Sequence, residues 1–294
     1  LLNEIGQNIR SSSKPFGGIQ LIFMGDFFQL APVPSFGDED SKLFCFESSL
    51  WKSTFDAQVL LDIIFRQKDN KFIDLLHSVR EGNITPEHVK ILKSRMIESP
   101  LDVVSLVSTR RQAESINLKH MTLLDTISKT FPYKIYYNPT ENDTKGTKKQ
   151  LKFEEEYITK NSLFENELTL KIGSRVMCIV NIDVENELCN GSMGSVVDFQ
   201  PLTEYPVVLF DNGIRKTMIP HEWKSDTYAG FEIRQVPLIQ AWAITIHKSQ
   251  GATLDSALID LGNNIFTYGQ TYVALSRIRT LDGLFVSSFN PSRI

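Results

Sequence analysis

The apolar positions fall into two patterns along the chain. In "GGIQLIFMGDFFQLAPVP" an apolar run from Ile19 to Met24 ends at Gly25-Asp26 and a proline-rich loop, and "DAQVLLDIIFRQ" carries a second such run ending near Ile64. Runs without alternation, bounded by Gly and Pro, predict parallel strands buried on both faces. "KDNKFIDLLHSVREG" then sets Phe72, Leu75, Leu76 and Val79 at helical spacing, with Gly82 beyond the end. "ITPEHVKILKSRM" offers Thr85 as N-cap with Pro86 at the first helical position. "LDVVSLVSTRRQAESINLKHM" repeats strand then helix, with its junction at Ser108, Thr109 and Arg110. These are α/β units.

The pattern changes at residues 141–160, which are dense in charges of both signs and read as an exposed connection or surface hairpin. Short strand-like stretches follow: "TLKIGSRVMCIVN", "GSMGSVVDFQ" and "YPVVLFDNGIRKTMIP". In the last, Asp211-Asn212-Gly213 between two apolar runs predicts a hairpin. The expected result is a small barrel inserted between α/β segments. From Leu238 the α/β pattern returns, with a helix over 241–250 closed by Gly251, a strand in "SALIDL", a helix in "TYGQTYVALSRIR" and a strand in "GLFVSSF".

Composition narrows the class. The chain has 294 residues, 41% hydrophobic and 22% charged, with net charge −4. Any nucleic-acid contact is therefore expected from a local groove rather than from a basic surface. No run reaches the length of a membrane span and no signal-peptide order opens the chain, so an intracellular setting is expected, nuclear or mitochondrial in a eukaryote, without a membrane partner. Cys45, Cys178 and Cys189 lack metal-ligand spacing, so no metal site is expected and buried apolar thiols are the reading.

In open parallel sheets the chemistry lies beyond the carboxyl ends of the strands, which directs attention to four junctions. In "GDFFQL", Gly25 permits a tight turn, Asp26 could reach a metal or a water, and Gln29 could touch a terminal phosphate; a purely structural turn is the alternative. Arg66 in "FRQ" follows a buried strand, and Arg277 in "TYVALSRIR" lies one helical turn after Val273. Each is either a surface arginine or a guanidinium that stabilises phosphoryl charge. The fourth junction, "AWAITIHKSQGATLD", packs Ala241, Trp242, Ile244 and Ile246 inward and gathers Thr245, His247, Lys248, Ser249 and Gln250 before Gly251. A polar helix end would explain one such group; five together suit tracking of a sugar-phosphate backbone.

In this order, and with the β insertion between them, the junctions resemble the superfamily 1 helicases, most closely the PIF family of ATP-dependent DNA helicases. "FGGIQLIFMGDFFQLAPV" resembles motif III of that family, "FRQ" motif IV, "AWAITIHKSQGATLD" motif V and "YVALSRIRTLDGLFV" motif VI, while "LKIGSRVMCIVN…LCNGSMGSVVDF" resembles its SH3-like domain 2B. The resemblance implies an α/β fold of RecA-like P-loop NTPase lobes, with residues 1–65 completing the first lobe, 66–168 and 238–294 forming the second, and 169–237 an inserted SH3-like β-barrel. It implies that Gln29, Arg66 and Arg277 contact the terminal phosphate of ATP, with Gly25, Asp26 and Gly251 beside the nucleotide. Thr109, Arg110, Thr245, His247, Lys248 and Ser249 would line the single-strand track, and Gln250 and Gly251 would connect the two sites. The implied partners are ATP, single-stranded DNA and forked or structured DNA, acted on by a monomer that moves 5′ to 3′.

The family's G-x-x-x-x-G-K-[ST] phosphate loop and the Asp-Glu pair that holds Mg²⁺ are expected ahead of Leu1. No Gly-Lys dipeptide occurs in the sequence. The expectation is a truncated helicase that is inactive alone, its Mg²⁺ ligands mostly in the absent part; the alternative is a non-catalytic remnant that binds nucleic acid or a partner.

Overall fold

The computed structural model describes residues 2–32, 41, 43–55, 57–100, 103–141 and 145–294. The chain divides into two compact units, Leu1–Phe65 and Arg66–Ile294. Part of the proline-rich loop, Asp56, Leu101, Asp102 and residues 142–144 of the charge-dense segment lie outside the described residues.

In the first unit, helix α1 (Leu2–Arg10) folds against the turn at Pro15–Gly18, where Asn3 Oδ1 accepts from Phe16 N at 2.8 Å and Arg10 Nε donates to Gly17 O at 2.9 Å. Aromatic rings join the short helix α2 (Trp51–Thr54) to its surroundings: Trp51 meets Phe55 at 4.7 Å between centroids and Phe27 at 5.9 Å, and Phe23 meets Phe55 at 5.3 Å. The two apolar runs do not become the expected buried strands. Ile22 and Met24 stand 81% and 89% exposed, and Val59, Leu60 and Leu61 are exposed as well. The physical reason is the absence of a ladder: among the described residues neither run has a strand partner, and an extended backbone without neighbours buries neither face.

The second unit opens with helices α3 (Asn70–Glu81) and α4 (Pro86–Ser94). Gly82 closes α3 at φ 72°, and Thr85 caps α4 by accepting from His88 N at 3.3 Å, as the sequence predicts. Strand β1 (Val104–Val107) leads into helix α5 (Arg110–Leu123), whose N-cap Thr109 accepts from Gln112 N.

An antiparallel body comes next. Strands β2 (Ser128–Pro132) and β3 (Lys134–Tyr137) precede helix α6 (Lys148–Asn161). This helix stands where an exposed connection was expected. Thr147 and Gln150 form a capping box at its start, and the charges lie around a stripe that buries Glu154 and Ile158, four residues apart. Strands β4 (Glu167–Lys171), β5 (Arg175–Cys178), β6 (Met193–Phe199), β7 (Pro206–Phe210), β8 (Arg215–Thr217), β9 (His221–Lys224), β10 (Phe231–Gln235) and β11 (Leu238–Gln240) follow. They form sheets ordered β2-β4, β3-β10-β9 and β11-β5-β6-β7-β8. Leu168, Leu170, Val176, Cys178, Val196, Val208, Phe210 and Leu238 make one core between them. The predicted hairpin joins β7 to β8, with Gly213 at φ 85° and Asn212 Oδ1 accepting from Ile214 N at 3.2 Å.

The parallel sheet is completed by β12 (Ala243–Thr245), β13 (Ala257–Leu261) and β14 (Leu284–Phe289), in the order β12-β1-β13-β14, with helix α7 (Gln270–Ser276) before the last strand. Helix α5 covers β1 and β12 through Ala113 and Ile116 against Val107 and Ala243, α7 packs on β13, and α4 on β14. The α/β pattern thus resumes at Ala243 rather than Leu238, because Leu238–Gln240 pair antiparallel with β5. The helix expected over 241–250 is instead β12 followed by turns. Its parallel pairing with β1 at Ala243, Ile244 and Thr245 satisfies the backbone as strand.

Candidate functional site: the carboxyl edge of the parallel sheet

Because β12, β1 and β13 are adjacent and parallel, the loops leaving them converge on one edge. The β12 loop carries most of the expected DNA-contacting groups. Lys248 N donates to Thr245 Oγ1 at 3.2 Å, Gln250 N donates to His247 O at 3.2 Å, and Gly251 at φ 88° allows the chain to reverse. His247 and Gln250 are exposed, while Thr245 and Lys248 are half-buried. Ser249 differs from expectation: it is fully buried and its hydroxyl donates to Ile246 O at 2.8 Å, so it faces the core and not the track. The turn forces this, since Ser249 N also donates to Thr245 O, folding the residue back over the strand end.

Arg110 and Thr109 arrive beside Lys248 from the end of β1. Thr109 is engaged with Gln112, accepting its backbone N–H at 3.3 Å and donating its hydroxyl to Oε1 at 2.8 Å. Burial pushes the Lys248 ammonium below its ordinary value, Glu165 opposes that, and Arg110 adds to it. The reciprocal effect is seen at Glu165, whose carboxyl is raised by burial against the pull of Lys248. Burial alone lowers His247. Glu165 gave no signal in the sequence: it comes from the connection between α6 and β4, far from motif V along the chain. A cavity of about 470 Å³ lined by Thr109, Gln112, Asp260 and Ser287 lies beneath the start of α5.

The two arginines expected at the nucleotide meet. Arg277 is only 4% exposed, which removes the solvated-arginine alternative, and its Nε donates to Val273 O at 3.0 Å. Arg66 Nε donates to Thr253 Oγ1 at 3.0 Å, Thr253 standing two residues after Gly251. Burial and the neighbouring Arg66 push the Arg277 guanidinium down to about 10, and burial lowers Arg66 too. Neither arginine has a carboxylate within ion-pair distance among the described residues. Gln67, unremarked in the sequence although it follows Arg66 directly, is buried and donates to the Ser276 and Ile278 carbonyls at 3.1 and 2.7 Å, locking this junction to the end of α7.

In the first unit Asp26 and Gln29 share a turn: Gln29 N donates to Asp26 O at 3.1 Å, and Phe28 N to Asp26 Oδ1 at 3.1 Å. Gly25 keeps a φ outside the left-handed region with open space at its Cα, so the turn does not require glycine there. Among the described residues no group of three or more His, Cys, Asp or Glu side chains could hold a metal, and no helix is long and apolar enough to cross a membrane. Two guanidiniums without a carboxylate partner among the described residues fit a phosphate. Of the cysteines, Cys178 is buried as expected, but Cys45 is exposed.

The site thus gathers cations at the carboxyl edge of a parallel α/β sheet, with an antiparallel body inserted between its strands. The family model described as PIF1-like helicase matches residues 1–90, and that described as DNA helicase Pif1, 2B domain, matches residues 155–199. ATP-dependent DNA helicase PIF1 of Danio rerio is 38% identical over 297 residues, covering 99% of this chain and 44% of the relative. The human ATP-dependent DNA helicase PIF1 is 34% identical over 310 residues, covering 100% of this chain and 44% of the relative. The crystal structure of Pif1 helicase from Candida albicans superposes with a TM-score of 0.75 at 34% identity, covering 100% of this chain and 70% of that one. Bacteroides Pif1 in complex with ADP-AlF3 and ssDNA gives 0.65 at 28% identity, over 99% of this chain and 67% of that one. This chain belongs to the PIF1-like helicase family. It spans less than half the length of these curated relatives.

Proposed function

We propose that the chain is the motif III to motif VI portion of an ATP-dependent DNA helicase that moves 5′ to 3′ on single-stranded DNA. In this reading residues 1–65 belong to one RecA-like lobe, residues 66–168 and 238–294 form a second, and 169–237 are an SH3-like insertion. The observation that carries it is the pairing of half-buried Arg66 with buried Arg277, held in place by Thr253, Ser276 and Gln67 and lacking a carboxylate among the described residues. Two guanidiniums brought together without a counter-ion repel each other, and an anion relieves the repulsion. The terminal phosphate of ATP is such an anion, and bound there it would supply the charge that the pair lacks. Gln29 is assigned to the same phosphate by its motif III position.

Thr109, Arg110, Thr245, His247, Lys248 and Gln250 are assigned to the single strand, with phosphates met by Lys248 and Arg110. Coupling follows the chain itself. Only Gly251 and Ala252 separate Gln250 from Thr253, the residue that accepts from Arg66, so a shift of the β12 loop is passed to the arginine pair. Support for these partners comes from relatives, among them Pif1 structures with ssDNA and ADP-AlF3 and one of DNA unwinding at forked dsDNA by two coordinating Pif1 helicases. The expectation of a monomer finds no support in the latter.

The test joins this chain behind the N-terminal half of the Danio rerio relative and measures unwinding of duplexes carrying a 5′ or a 3′ single-stranded tail. ATP-dependent unwinding of the 5′-tailed duplex alone is expected. Single-strand binding without any unwinding would favour the non-catalytic alternative.

A further inference from the structure

Between β13 and α7 two large side chains stand in solvent on a backbone that is held firmly. Phe266 is 61% and Tyr268 97% exposed, although Ile265 next to them is buried. Phe266 N donates to Oε1 of the fully buried Gln270 at 3.1 Å, Asn264 Nδ2 donates to Asp260 Oδ2 at 2.9 Å, and Asn290 Nδ2 to Asn263 Oδ1 at 2.6 Å. Gly269 at φ 75° then starts α7. Loops of polar tips expose rings of this size at a cost in apolar hydration, and rigid presentation of two of them calls for a ligand.

Their place in the sheet says which ligand. The loops after β12, β1 and β13 are neighbours, and they carry His247 and Lys248, then Thr109 and Arg110, then Phe266 and Tyr268. The His247 ring lies nearly parallel to that of Phe266, with centroids 6.3 Å apart and planes 15° from each other. Cations that follow a phosphate chain, bordered by flat rings presented to solvent, are the two components of a sequence-tolerant single-strand platform. An apolar protein surface would satisfy the rings but offer no phosphate to Lys248 and Arg110.

We propose that Phe266 and Tyr268, with His247, form a base-stacking platform for single-stranded DNA, so that the strand is held by its bases as well as by its phosphates. This rests on the single-strand reading of Lys248 and Arg110 given above. Stacking uses the face that every base possesses, so the platform grips without selecting sequence.

The experiment compares the 294-residue chain binding to oligothymidine and to an abasic sugar-phosphate oligonucleotide of equal length and charge, by fluorescence anisotropy. The native chain is expected to prefer oligothymidine by on the order of tenfold or more. Phe266→Leu and Tyr268→Leu should each narrow that preference and leave abasic binding unchanged, while Tyr268→Phe keeps it. Circular dichroism checks the fold of the variants, and the comparison in the native chain stands without them. Equal binding of the two oligonucleotides, with abasic binding still weakened by Lys248→Ala, would overturn the platform and leave the phosphate track intact. Binding of neither overturns both.

Discussion

Arg66 and Arg277 meet on one residue: Arg66 Nη1 donates to the Ser276 carbonyl at 2.9 Å, and Arg277 Nη2 to the Ser276 hydroxyl at 2.8 Å. In the fusion with the Danio rerio half, Arg277→Ala is expected to lower DNA-stimulated ATP hydrolysis by a factor on the order of 10³ or more, by analogy with arginine fingers. Arg277→Lys should rescue little, because an ammonium cannot keep the Val273 and Ser276 contacts and also reach a phosphate. Steady-state turnover within a few-fold of the parent fusion would return Arg277 to a structural role.

The 294-residue chain by itself is expected not to hydrolyse ATP, with or without single-stranded DNA. It has no Gly-Lys dipeptide from which a phosphate loop could be made. Phosphate release above background, stimulated by DNA and abolished by Arg277→Ala, would contradict this.

Lys248 is the sharpest probe of the phosphate track. Lys248→Ala should weaken single-strand binding equally for unrelated sequences and reduce the slope of log affinity against log salt by roughly 0.7. With a net charge of −4, diffuse surface attraction should not hide the effect. An unchanged slope in a folded variant would remove Lys248 from the track.

Acidification should destabilise the chain through two histidines. Burial holds His247 and His221 below 6.5, so below that pH the unfolded state binds more protons than the folded one, and stability rises with pH through this window. Glu165 works in the opposite sense, since its raised carboxyl favours the folded state as protons are added. The His221→Asn, His247→Asn double variant should therefore lose less thermal stability than the native chain between about pH 7.5 and about pH 5.5. Parallel losses in the two proteins would show that other groups govern the acid limb.

The turn at Asp211-Asn212-Gly213 should be cut early in limited proteolysis and should accept a short Gly/Ser insertion. Gly213→Val should cost about 1 kcal/mol or more, since the space around Gly213 is open but its φ of 85° is not available to a branched residue. Loss of the folded state on insertion would mean that the turn is needed for the sheet to form.

Local chemistry made much of this legible. Thr85, Pro86 and Gly82 announce the ends of α3 and α4, and Asp211-Asn212-Gly213 announces its hairpin, because capping and turn geometry are properties of a few adjacent residues. Arg66 and the β12 loop were legible as junctions that follow apolar runs, and Arg277 by its place one helical turn after Val273. What failed depends on partners distant along the chain. Helical spacing of Ala241 and Ile244 could not reveal that β1 would claim this stretch as a strand, nor could the charges of 148–161 reveal the core that buries Glu154 and Ile158. Apolar runs at Ile19 and Val59 specify burial only when neighbours exist to bury them. Glu165 reaches Lys248 by tertiary folding alone.

Along the stretch from β11 to β12 the chain changes sheets across one peptide. Ala241 N donates to Arg175 O in the antiparallel body at 2.9 Å, and Trp242 O accepts from Ser105 N in the parallel sheet at 2.8 Å. A second tie runs from Lys171 Nζ to the Met121 and Leu124 carbonyls at 3.1 and 2.6 Å, at the end of α5. The two bodies are thus joined twice, at Ala241–Trp242 and at Lys171. The crossing leads from the antiparallel body straight into β12, which ends at Thr245 three residues before Lys248, so that body is a handle placed one short strand away from the Lys248 loop.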